Sequence, residues 1–491
     1  MLAVTHPFSL ILFGASGNLA KLKLYPSLFT LALRKRLPKE YAIVGYARTA
    51  MESASFRTMV GESIVRDMPE VKEEAVREFL THCHYVAGQY DGEEDMRKLR
   101  GTLTELEEGW QAPVRLAYLS VPPQVIPAIA RNLCAAEIPT PGKFRCIVEK
   151  PVGHDRESFE EIEKLLTRCF PADDVYFLDH YLGKEAVRNI YYLRYANPLL
   201  ERLFKNMLIK FVEVTASETL GIEGRAGYFE HTGAFRDMFQ SHLLEMCSLL
   251  TMSLHESDAE IPSVRLQALR ELYLPPAKKL EDIALQGQYA AGSIGEERAK
   301  GYREEEGADP QSRTNTYAAV KLLSRDPRWQ GVPFYVRSGK RLRKKETRIS
   351  LVFRGHQESG EGGRPRGDRA APRGEAPNRL DIIAQGEAGM RIHLQTKVGG
   401  SDVSFRPLVL TDPLVCTGDC LPEYGLLLLE AINGIKTWFL SPEEIRAAWQ
   451  LTDPLQSHFD HPDTPLYFYP AGSHGPVEAD AWIGKDGVGW L

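Results

Sequence analysis

The first 178 residues alternate short apolar runs with longer stretches in which apolar residues recur at helical spacing. Residues 19–34 form the first such helical stretch, and it begins shortly after the first apolar run. Short buried strands separated by helices are typical of a parallel sheet with crossover helices. The pattern therefore predicts a doubly wound, Rossmann-type α/β domain over residues 1–178. Its predicted strands are residues 9–13, 41–45, 114–121 and 144–148.

The pattern changes after residue 178. Long helical stretches at 184–204 and 234–252 are followed by runs in which apolar and polar positions alternate, as they do in strands with one buried face. We therefore expect residues 179–491 to form an α+β domain with a large antiparallel sheet. Residues 355–377 are rich in Gly, Pro and Arg and predict a mobile hairpin loop on the surface. The predicted strands of this half are 209–217, 348–353, 379–384 and 390–396.

Composition narrows the classes of partner. The 491 residues have a formal net charge of −6, so there is no excess of cations to neutralise the phosphates of a nucleic acid. No apolar run approaches the roughly 20 residues that a bilayer requires, and the N-terminal segment lacks the pattern of a secretory signal. Seven irregularly spaced cysteines are typical of reduced thiols, and we expect Cys416 and Cys420 to be unpaired thiols in a loop. The expectation is a cytoplasmic protein that binds neither nucleic acid nor membrane.

A glycine-rich turn follows the first predicted strand and opens the helical stretch. Gly14 permits the tight turn, Gly17 allows backbone amides to approach a pyrophosphate, and the helix N-terminus adds partial positive charge. Glycine occurs in many ordinary turns, but here a strand precedes it, a helix follows and a second strand begins about 30 residues later. We predict a dinucleotide site. Its residues are Gly14, Ala15, Ser16, Gly17, Asn18 and Leu19.

The end of the second predicted strand bears on the choice of dinucleotide. NAD enzymes usually place Asp or Glu there to bind the ribose hydroxyls, whereas this segment contains Arg48 and Thr49 and no acid. The planar guanidinium of Arg48 suits a 2′-phosphate. We therefore expect NADP, with NAD open as a second coenzyme. The alternative is an ordinary surface arginine at a strand end.

Three segments beyond the turn concentrate polar chemistry. Lys150 directly follows an apolar strand, where a side chain points into the ligand crevice of such a sheet. The second segment, 179–185, places His180, Tyr181 and Lys184 at a helix start, which suits a phosphate. The third contains Asp237 and His242 among apolar residues. Residues of the second and third segments have structural alternatives: a helix N-cap for the acid at 179, a surface ion pair for Lys184 and a buried core histidine for His242.

These segments also resemble one known family. The motifs GASGNLAKLKLYPSLF, EKPVG, DHYLGKEAVRN, SETLGIEGRAGYFE, GAFRDMFQSHLLEM, VPFYVRSGKRL and YPAGSHGP are similar, in this order, to those of the glucose-6-phosphate dehydrogenases. The resemblance spans nearly the whole chain, and DHYLGKE is its most specific part. It implies oxidation of glucose 6-phosphate to 6-phosphogluconolactone with NADP, no metal, and a homodimer or homotetramer.

The resemblance also implies a role for each matching position. His242 stands at the place of the general base, and Asp179 at that of the carboxylate that orients and supports it; a histidine has a pKa suited to this task. The further positions are His180, Tyr181 and Lys184 for the phosphate, Lys345 near the phosphate, Lys150 for sugar and cofactor, Glu218, Asp237 and Lys340 for the sugar, Lys23 for the cofactor, and Arg48 with Thr49 for the 2′-phosphate.

Two other functions stay open at this point. An NADP-dependent oxidoreductase of another sugar would share the EKP segment, but an unphosphorylated substrate gives no reason for the cations of DHYLGKE. A non-catalytic regulatory or assembly relative should have lost the base or its partner, whereas both Asp179 and His242 are present.

Overall fold

A computed structural model describes residues 2–140, 143–355, 376–401 and 404–491. The predicted surface loop at 355–377 lies almost entirely outside the described residues. The α-helices are α1 Tyr25–Leu33, α2 Ser53–Asp67, α3 Glu73–Leu80, α4 Glu93–Leu106, α5 Ile126–Ala135, α6 Arg156–Cys169, α7 Glu185–Ala196, α8 Pro198–Leu203, α9 Ala226–Met238, α10 Leu244–Thr251, α11 Ile261–Glu271, α12 Glu423–Ile432, α13 Pro442–Asp460 and α14 Val477–Gly484.

Short helical turns of other types connect these elements. Two are π-helices, Ala20–Leu24 and Phe239–Leu243, and each precedes an α-helix directly. The 3₁₀ turns are Pro123–Val125, Ala172–Asp174, His180–Gly183, Asp258–Glu260, Leu280–Asp282 and Tyr302–Glu304.

The strands are short and buried in the first part of the chain and longer in the second. They are β1 Phe8–Phe13, β2 Tyr41–Ala47, β3 Cys83–Ala87, β4 Val114–Leu119, β5 Phe144–Glu149, β6 Val175–Leu178, β7 Ile209–Ser217, β8 Leu272–Tyr273, β9 Ala284–Ala290, β10 Gly292–Ile294, β11 Glu297–Ala299, β12 Tyr317–Ser324, β13 Phe334–Gly339, β14 Glu346–Phe353, β15 Arg379–Gln385, β16 Gly389–Lys397, β17 Phe405–Pro413 and β18 Tyr467–Pro470.

The chain contacts divide the molecule into two compact units. Unit 1 comprises residues 1–184 and 417–446, and unit 2 comprises residues 185–416 and 447–491. The segment 417–446, which contains α12, thus returns to the first unit from far along the chain. The functional boundary that the sequence places between residues 178 and 179 stays a prediction.

Unit 1 is built on a parallel sheet in the order β3-β2-β1-β4-β5-β6. Every residue of β1 and β2 is buried, because helices cover both faces of such a sheet. This order reverses between β1 and β4, the point at which doubly wound sheets bind their ligands. The predicted Rossmann-type domain is confirmed. Strands β3 and β6, with five and four residues, were not predicted.

Unit 2 is built on a ten-stranded sheet. Its order is β17-β16-β15-β14-β7-β13-β12-β9-β18, with β8 paired to β12. The predicted α+β fold is confirmed, and most neighbours are antiparallel. The pairs β7–β13 and β9–β18 are parallel, so the sheet is mixed.

Local sequence explains where two predicted helices break. The stretch 184–204 divides into α7 and α8 because Pro198 disfavours a helical conformation at the residue before it, and Asn197 has φ −127° and ψ 84°. The stretch 234–252 begins after Gly233, whose φ of 64° and ψ of 169° are outside the helical region. It then runs through the π-helix Phe239–Leu243 into α10.

The expectation of unpaired thiols at Cys416 and Cys420 is wrong. Both are disulfide-bonded, whereas Cys83, Cys134, Cys146, Cys169 and Cys247 are free. Irregular cysteine spacing along the whole chain had hidden a pair separated by only three residues in a segment without helix or strand. In the part of the chain that the structure describes, no helix is long and apolar enough to cross a membrane.

Candidate functional site

The glycine-rich turn lies at the carboxyl end of β1, between β2 and β4. Gly14 has φ 78°, and its amide donates to the carbonyl of Tyr46 at 3.0 Å. A Cβ at Gly14 would lie 2.1 Å from the carbonyl oxygen of Ser120, at the end of β4. Only glycine fits there, since both the backbone angle and the neighbouring strand exclude a side chain.

The turn leads straight into a helix whose first residues are open to a ligand. Gly17 and Asn18 are exposed, and helical structure begins at Asn18. The first amides of a helix have no intrahelical acceptor, so they are available to a phosphate. The hydroxyl of Tyr25, on α1, donates to the carbonyl of Ala15 at 2.6 Å and holds the turn from beneath. This cradle fits a dinucleotide pyrophosphate.

The end of β2 presents Arg48 beside an aromatic ring. Arg48 and Thr49 are exposed, and the guanidinium carbon of Arg48 lies 5.7 Å from the ring centre of Tyr90. The Thr49 hydroxyl lies 3.3 Å from that of Ser16, and the Thr49 carbonyl accepts from the Tyr85 hydroxyl at 2.6 Å. The turn and the strand end therefore form one surface, and the exposed guanidinium of Arg48 suits a 2′-phosphate better than a ribose hydroxyl.

Two other predicted cofactor residues lie next to this turn. Leu19 is the residue before the π-helix Ala20–Leu24, and Lys23 lies within that π-helix. The Lys23 ammonium is 3.3 Å from Glu423 Oε1, and both side chains are partly exposed. Lys23 thus has a carboxylate partner from the segment 417–446, which the sequence did not predict.

Lys150 follows β5 and begins a cis peptide bond with Pro151. The residue before it, Glu149, is the acceptor of a hydrogen bond from the Tyr118 hydroxyl on β4. The pKa of Glu149 is raised to about 7, chiefly by the loss of solvent around the carboxyl and to a smaller extent by the Asp179 charge, while the hydrogen bonds from Tyr118 and the Lys150 amide oppose this rise. A half-buried carboxyl with a pKa near neutrality therefore directly precedes the predicted substrate lysine.

Asp179 directly follows β6 and is fully buried. Its carboxylate accepts from the Tyr181 amide at 2.8 Å, so it caps the turn His180–Gly183, and the N-cap alternative is confirmed. Because β5 and β6 are parallel neighbours with Glu149 opposite Leu178, Lys150 and Asp179 lie at the same edge of the sheet.

His180, Tyr181 and Lys184 form one cluster of rings and charge. The Lys184 ammonium lies 3.6 Å from the ring centre of Tyr181, a cation–π contact. The rings of His180 and Tyr181 meet edge to face at 5.0 Å. On its other side His180 is parallel to the ring of Tyr424, from α12, at 6.2 Å. The three residues predicted to bind a phosphate are thus held together.

In unit 2 three predicted sugar residues come together around one ammonium. Lys340, 4 % exposed, donates to Glu218 Oε2 at 2.5 Å and lies 3.9 Å from Asp237 Oδ2. The Asp237 carboxylate also accepts from the Tyr228 hydroxyl at 3.5 Å. Two carboxylates beside a lysine present acceptors and donors suited to sugar hydroxyls. Lys345 is exposed in the connection that leads to β14.

His242 lies in the π-helix Phe239–Leu243 and is 4 % exposed. Every residue of the α-helix that follows is buried, so the element that holds His242 is fixed by packing on all sides. π-Helical turns inside α-helices occur frequently at functional sites. The hydrophobic pattern of the sequence does not reveal this π-helix.

Four residues near the predicted site were missed: Tyr90, Tyr118, Glu149 and Tyr424. Glu149 stands in the EKPVG motif, and an acid at the end of an apolar strand was a usable signal. Tyr424 had none, because 243 positions separate it from Tyr181 and only the fold brings α12 to the turn.

A doubly wound sheet with a glycine-rich dinucleotide turn and polar groups at neighbouring strand ends defines a dinucleotide-dependent enzyme class. Residues 11–189 match the family model described as "Glucose-6-phosphate dehydrogenase, NAD binding domain". Residues 191–491 match "Glucose-6-phosphate dehydrogenase, C-terminal domain". The chain belongs to the glucose-6-phosphate dehydrogenase family.

Individual relatives agree over the full length. The chain is 35 % identical to the glucose-6-phosphate 1-dehydrogenase of Chlamydia pneumoniae, over 99 % of this chain and 96 % of that protein. It is 33 % identical to that of Bacillus subtilis, over 98 % and 97 %. A solved structure of glucose-6-phosphate dehydrogenase in complex with glucose 6-phosphate is similar with a TM-score of 0.87, 28 % identity and 100 % of each chain covered.

Proposed function

We propose that this chain oxidises glucose 6-phosphate at C1 to 6-phosphogluconolactone with NADP as hydride acceptor. The observation that supports it most directly is the cluster of His180, Tyr181 and Lys184 at the sheet edge that also holds the dinucleotide turn. An uncharged sugar gives no reason for this group. Residues 1–178 then serve the dinucleotide and residues 179–491 the sugar phosphate.

NADP fits the residues around the turn. Gly14 to Leu19 would hold the pyrophosphate, Arg48 and Thr49 the 2′-phosphate, and Lys23 and Lys150 further parts of the cofactor. When bound, the nicotinamide supplies the hydride acceptor.

The chain's own residues position the sugar and move one proton. His242 takes the proton of the C1 hydroxyl, which leaves the oxygen's electrons to form the lactone carbonyl. Asp179 orients the imidazole and stabilises the imidazolium. Lys340, with Glu218 and Asp237, binds sugar hydroxyls.

Phosphate binding by His180, Tyr181, Lys184 and Lys345 is remote from the reacting carbon. Its binding energy fixes the position of C1, so the loss of the phosphate should lower the rate and not only the affinity.

The reaction site is tested with glucose 6-phosphate labelled with ¹³C at C1. We expect the anomeric ¹³C signal to be replaced by that of a lactone or its hydrolysed carboxylate as NADP is reduced. Reduction of NADP with an unchanged C1 signal would contradict oxidation at C1.

We propose further that the protein is a homodimer or homotetramer in the cytoplasm. Strand β17 supports self-association: all but one of its residues are exposed, although an antiparallel strand normally buries one face. Its apolar Phe405, Val409 and Leu410 are 40 %, 48 % and 50 % exposed. A second copy of the chain is the occupant that would cover both faces of this strand. Five free cysteines agree with a reducing compartment, whereas the disulfide-bonded Cys416 and Cys420 do not.

A further inference from the structure

Unit 2 contains a cavity of about 240 Å³ that none of the predicted site residues lines. It lies between the amino end of β9, the carboxyl end of α13 and helix α14. Its polar lining includes Glu281, His458, Glu478 and Trp482, and its apolar lining includes the rings of Phe459 and Tyr467. This volume is below that of a drug-sized pocket and suits a ligand of a few heavy atoms.

Three polar atoms of this lining are buried without a hydrogen-bond partner among the described residues. They are His458 Nε2, Glu478 Oε2 and Trp482 Nε1, and Trp482 is only 6 % exposed. A buried polar atom left unpaired costs about 1–3 kcal/mol, and native proteins satisfy nearly all such atoms. Three of them around one cavity indicate that a polar occupant supplies the missing partners.

The hydrogen bonds between His458 and Thr464 determine whether the unpartnered Nε2 atom of His458 is a donor or an acceptor. The Thr464 hydroxyl donates to the His458 carbonyl at 2.6 Å, so its proton is already used. The Nδ1 atom, 3.4 Å from Thr464 Oγ1, is then the donor in that contact. In the neutral ring Nε2 is therefore an acceptor that needs an N–H or O–H.

The charges of the lining select the same kind of ligand. Glu281 Oε1 lies 4.0 Å from His458 Nε2 and adds another acceptor. Lys485 also lines the cavity, but its ammonium lies 3.8 Å from Asp282, which is not part of the lining. Asp282 therefore partly neutralises the positive charge of Lys485. Aromatic faces next to carboxylates favour a cation. Among the unpartnered atoms of the lining that the structure describes, the indole N–H of Trp482 is a donor and needs an oxygen acceptor.

We propose that this cavity binds a small organic ammonium that also bears a hydroxyl. The ammonium donates to Glu478, Glu281 and His458, and the hydroxyl oxygen accepts from Trp482. This site is separate from the proposed dehydrogenase function and does not depend on it.

The test uses 3-aminopropan-1-ol as the probe, titrated calorimetrically into the full chain at neutral pH. We expect saturable binding, no binding of the uncharged 1,3-propanediol, and weaker binding of propylammonium, which lacks the oxygen acceptor. Equal binding of the diol and the amino alcohol would overturn the proposal, and so would no binding of the amino alcohol, with ordered water as the only occupant.

Two substitutions on α14 make the assignment specific. Glu478→Gln removes the charged acceptor and should weaken binding about tenfold, as expected for the loss of a charge-assisted hydrogen bond. Asp480→Asn makes the same charge change at an exposed position that does not line the cavity, and should leave the affinity unchanged. Thermal unfolding of both variants shows that each is folded. An equal loss of affinity in the two would contradict the site.

Discussion

Many of the residues that we propose for binding and catalysis lie at strand ends and helix starts. Lys150, Asp179 and Arg48 each follow a strand of the parallel sheet directly. This position was predictable for Lys150 and Arg48, because polar residues interrupt apolar runs there, but not for Asp179, because β6 was not predicted. The sequence could not show which of these side chains contact one another in the folded protein. The stacking of Tyr424 on His180 joins positions 244 apart, and no local pattern encodes such a contact.

Glu149 gives the clearest prediction of pH dependence. Its folded pKa of about 7 lies above the ordinary 4.5, chiefly because it is buried and also because Asp179 faces it; Tyr424 is the further titratable neighbour. Because this pKa is raised in the folded state, the contribution of the Glu149 carboxyl to the free energy of unfolding is fully present below about pH 4.5, where the carboxyl is protonated in both states. This contribution is lost as the pH rises through about 7. Glu149→Gln removes this loss and keeps an acceptor for Tyr118. Denaturant unfolding at pH 5 to 8 should show the variant gaining stability relative to the parent chain as pH rises, and a constant difference would contradict the assignment.

His242→Asn tests the base. We expect turnover to fall by about two to four orders of magnitude with little change in the binding of glucose 6-phosphate, because the imidazole moves a proton and does not hold the phosphate. Steady-state kinetics and a binding titration measure the two effects. The control His461→Asn changes an exposed histidine and should be silent. A fully active His242→Asn enzyme would exclude His242 as the base.

The substitution Arg48→Ala tests whether the Arg48 guanidinium binds the 2′-phosphate of NADP. Loss of the guanidinium should raise the KM for NADP at least tenfold and change the KM for NAD much less, since a charge-assisted hydrogen bond contributes about 1.5–3 kcal/mol. Arg77→Ala, on the exposed surface of α3, is the control. Equal changes for the two coenzymes would show that Arg48 does not distinguish them.

At the scale of elements, long periodic segments were predictable and short ones were not. Strand β7 occupies the predicted residues 209–217, whereas β3 and β6 are too short for periodicity to separate them from loops. The π-helix that contains His242 leaves no mark in the hydrophobic pattern. The break at Gly233 is different, because an isolated glycine in a helical pattern was a visible signal.

Gly233 and Gly227 form a matched pair within α9. At Gly233 an added Cβ meets φ 64° and ψ 169°, a region open essentially to glycine, and lies 3.0 Å from Asn315 Oδ1. We expect Gly233→Ala to destabilise the protein by about 1–3 kcal/mol and to lower turnover through the helix that holds His242. At Gly227 an added Cβ meets nothing within 4 Å, so Gly227→Ala should be neutral or stabilising by up to about 1 kcal/mol. Unfolding midpoints that are equal for the two variants would contradict this account.

At the scale of the whole molecule, the classes of the two sheets were predictable and their strand order was not. Alternation along a strand shows which face is buried but not which strand lies next to it. The parallel pair β7–β13 joins strands more than a hundred residues apart, and for this reason an antiparallel sheet was expected where a mixed one forms. The sequence also did not predict that segment 417–446 belongs to unit 1, because no local pattern shows which distant segments pack together.

The exposed strand β17 leads to a prediction about assembly. Val409→Asp places a charge on an apolar edge strand and should lower the oligomeric mass while leaving the fold intact, because its side chain is 48 % exposed. Light scattering after gel filtration measures the mass. Thr411→Asp, on the same strand at an exposed polar position, is the comparison. An unchanged mass for Val409→Asp would place the self-association surface elsewhere.

The family and the site together identify the chain as an NADP-dependent dehydrogenase of glucose 6-phosphate. The most direct test follows the absorbance of the reduced cofactor while NADP and NAD are crossed with glucose 6-phosphate and glucose. The account predicts rapid reduction with glucose 6-phosphate, faster with NADP than with NAD, and almost none with glucose. Absence of reduction by a demonstrably folded sample, or equal rates with the two sugars, would contradict it.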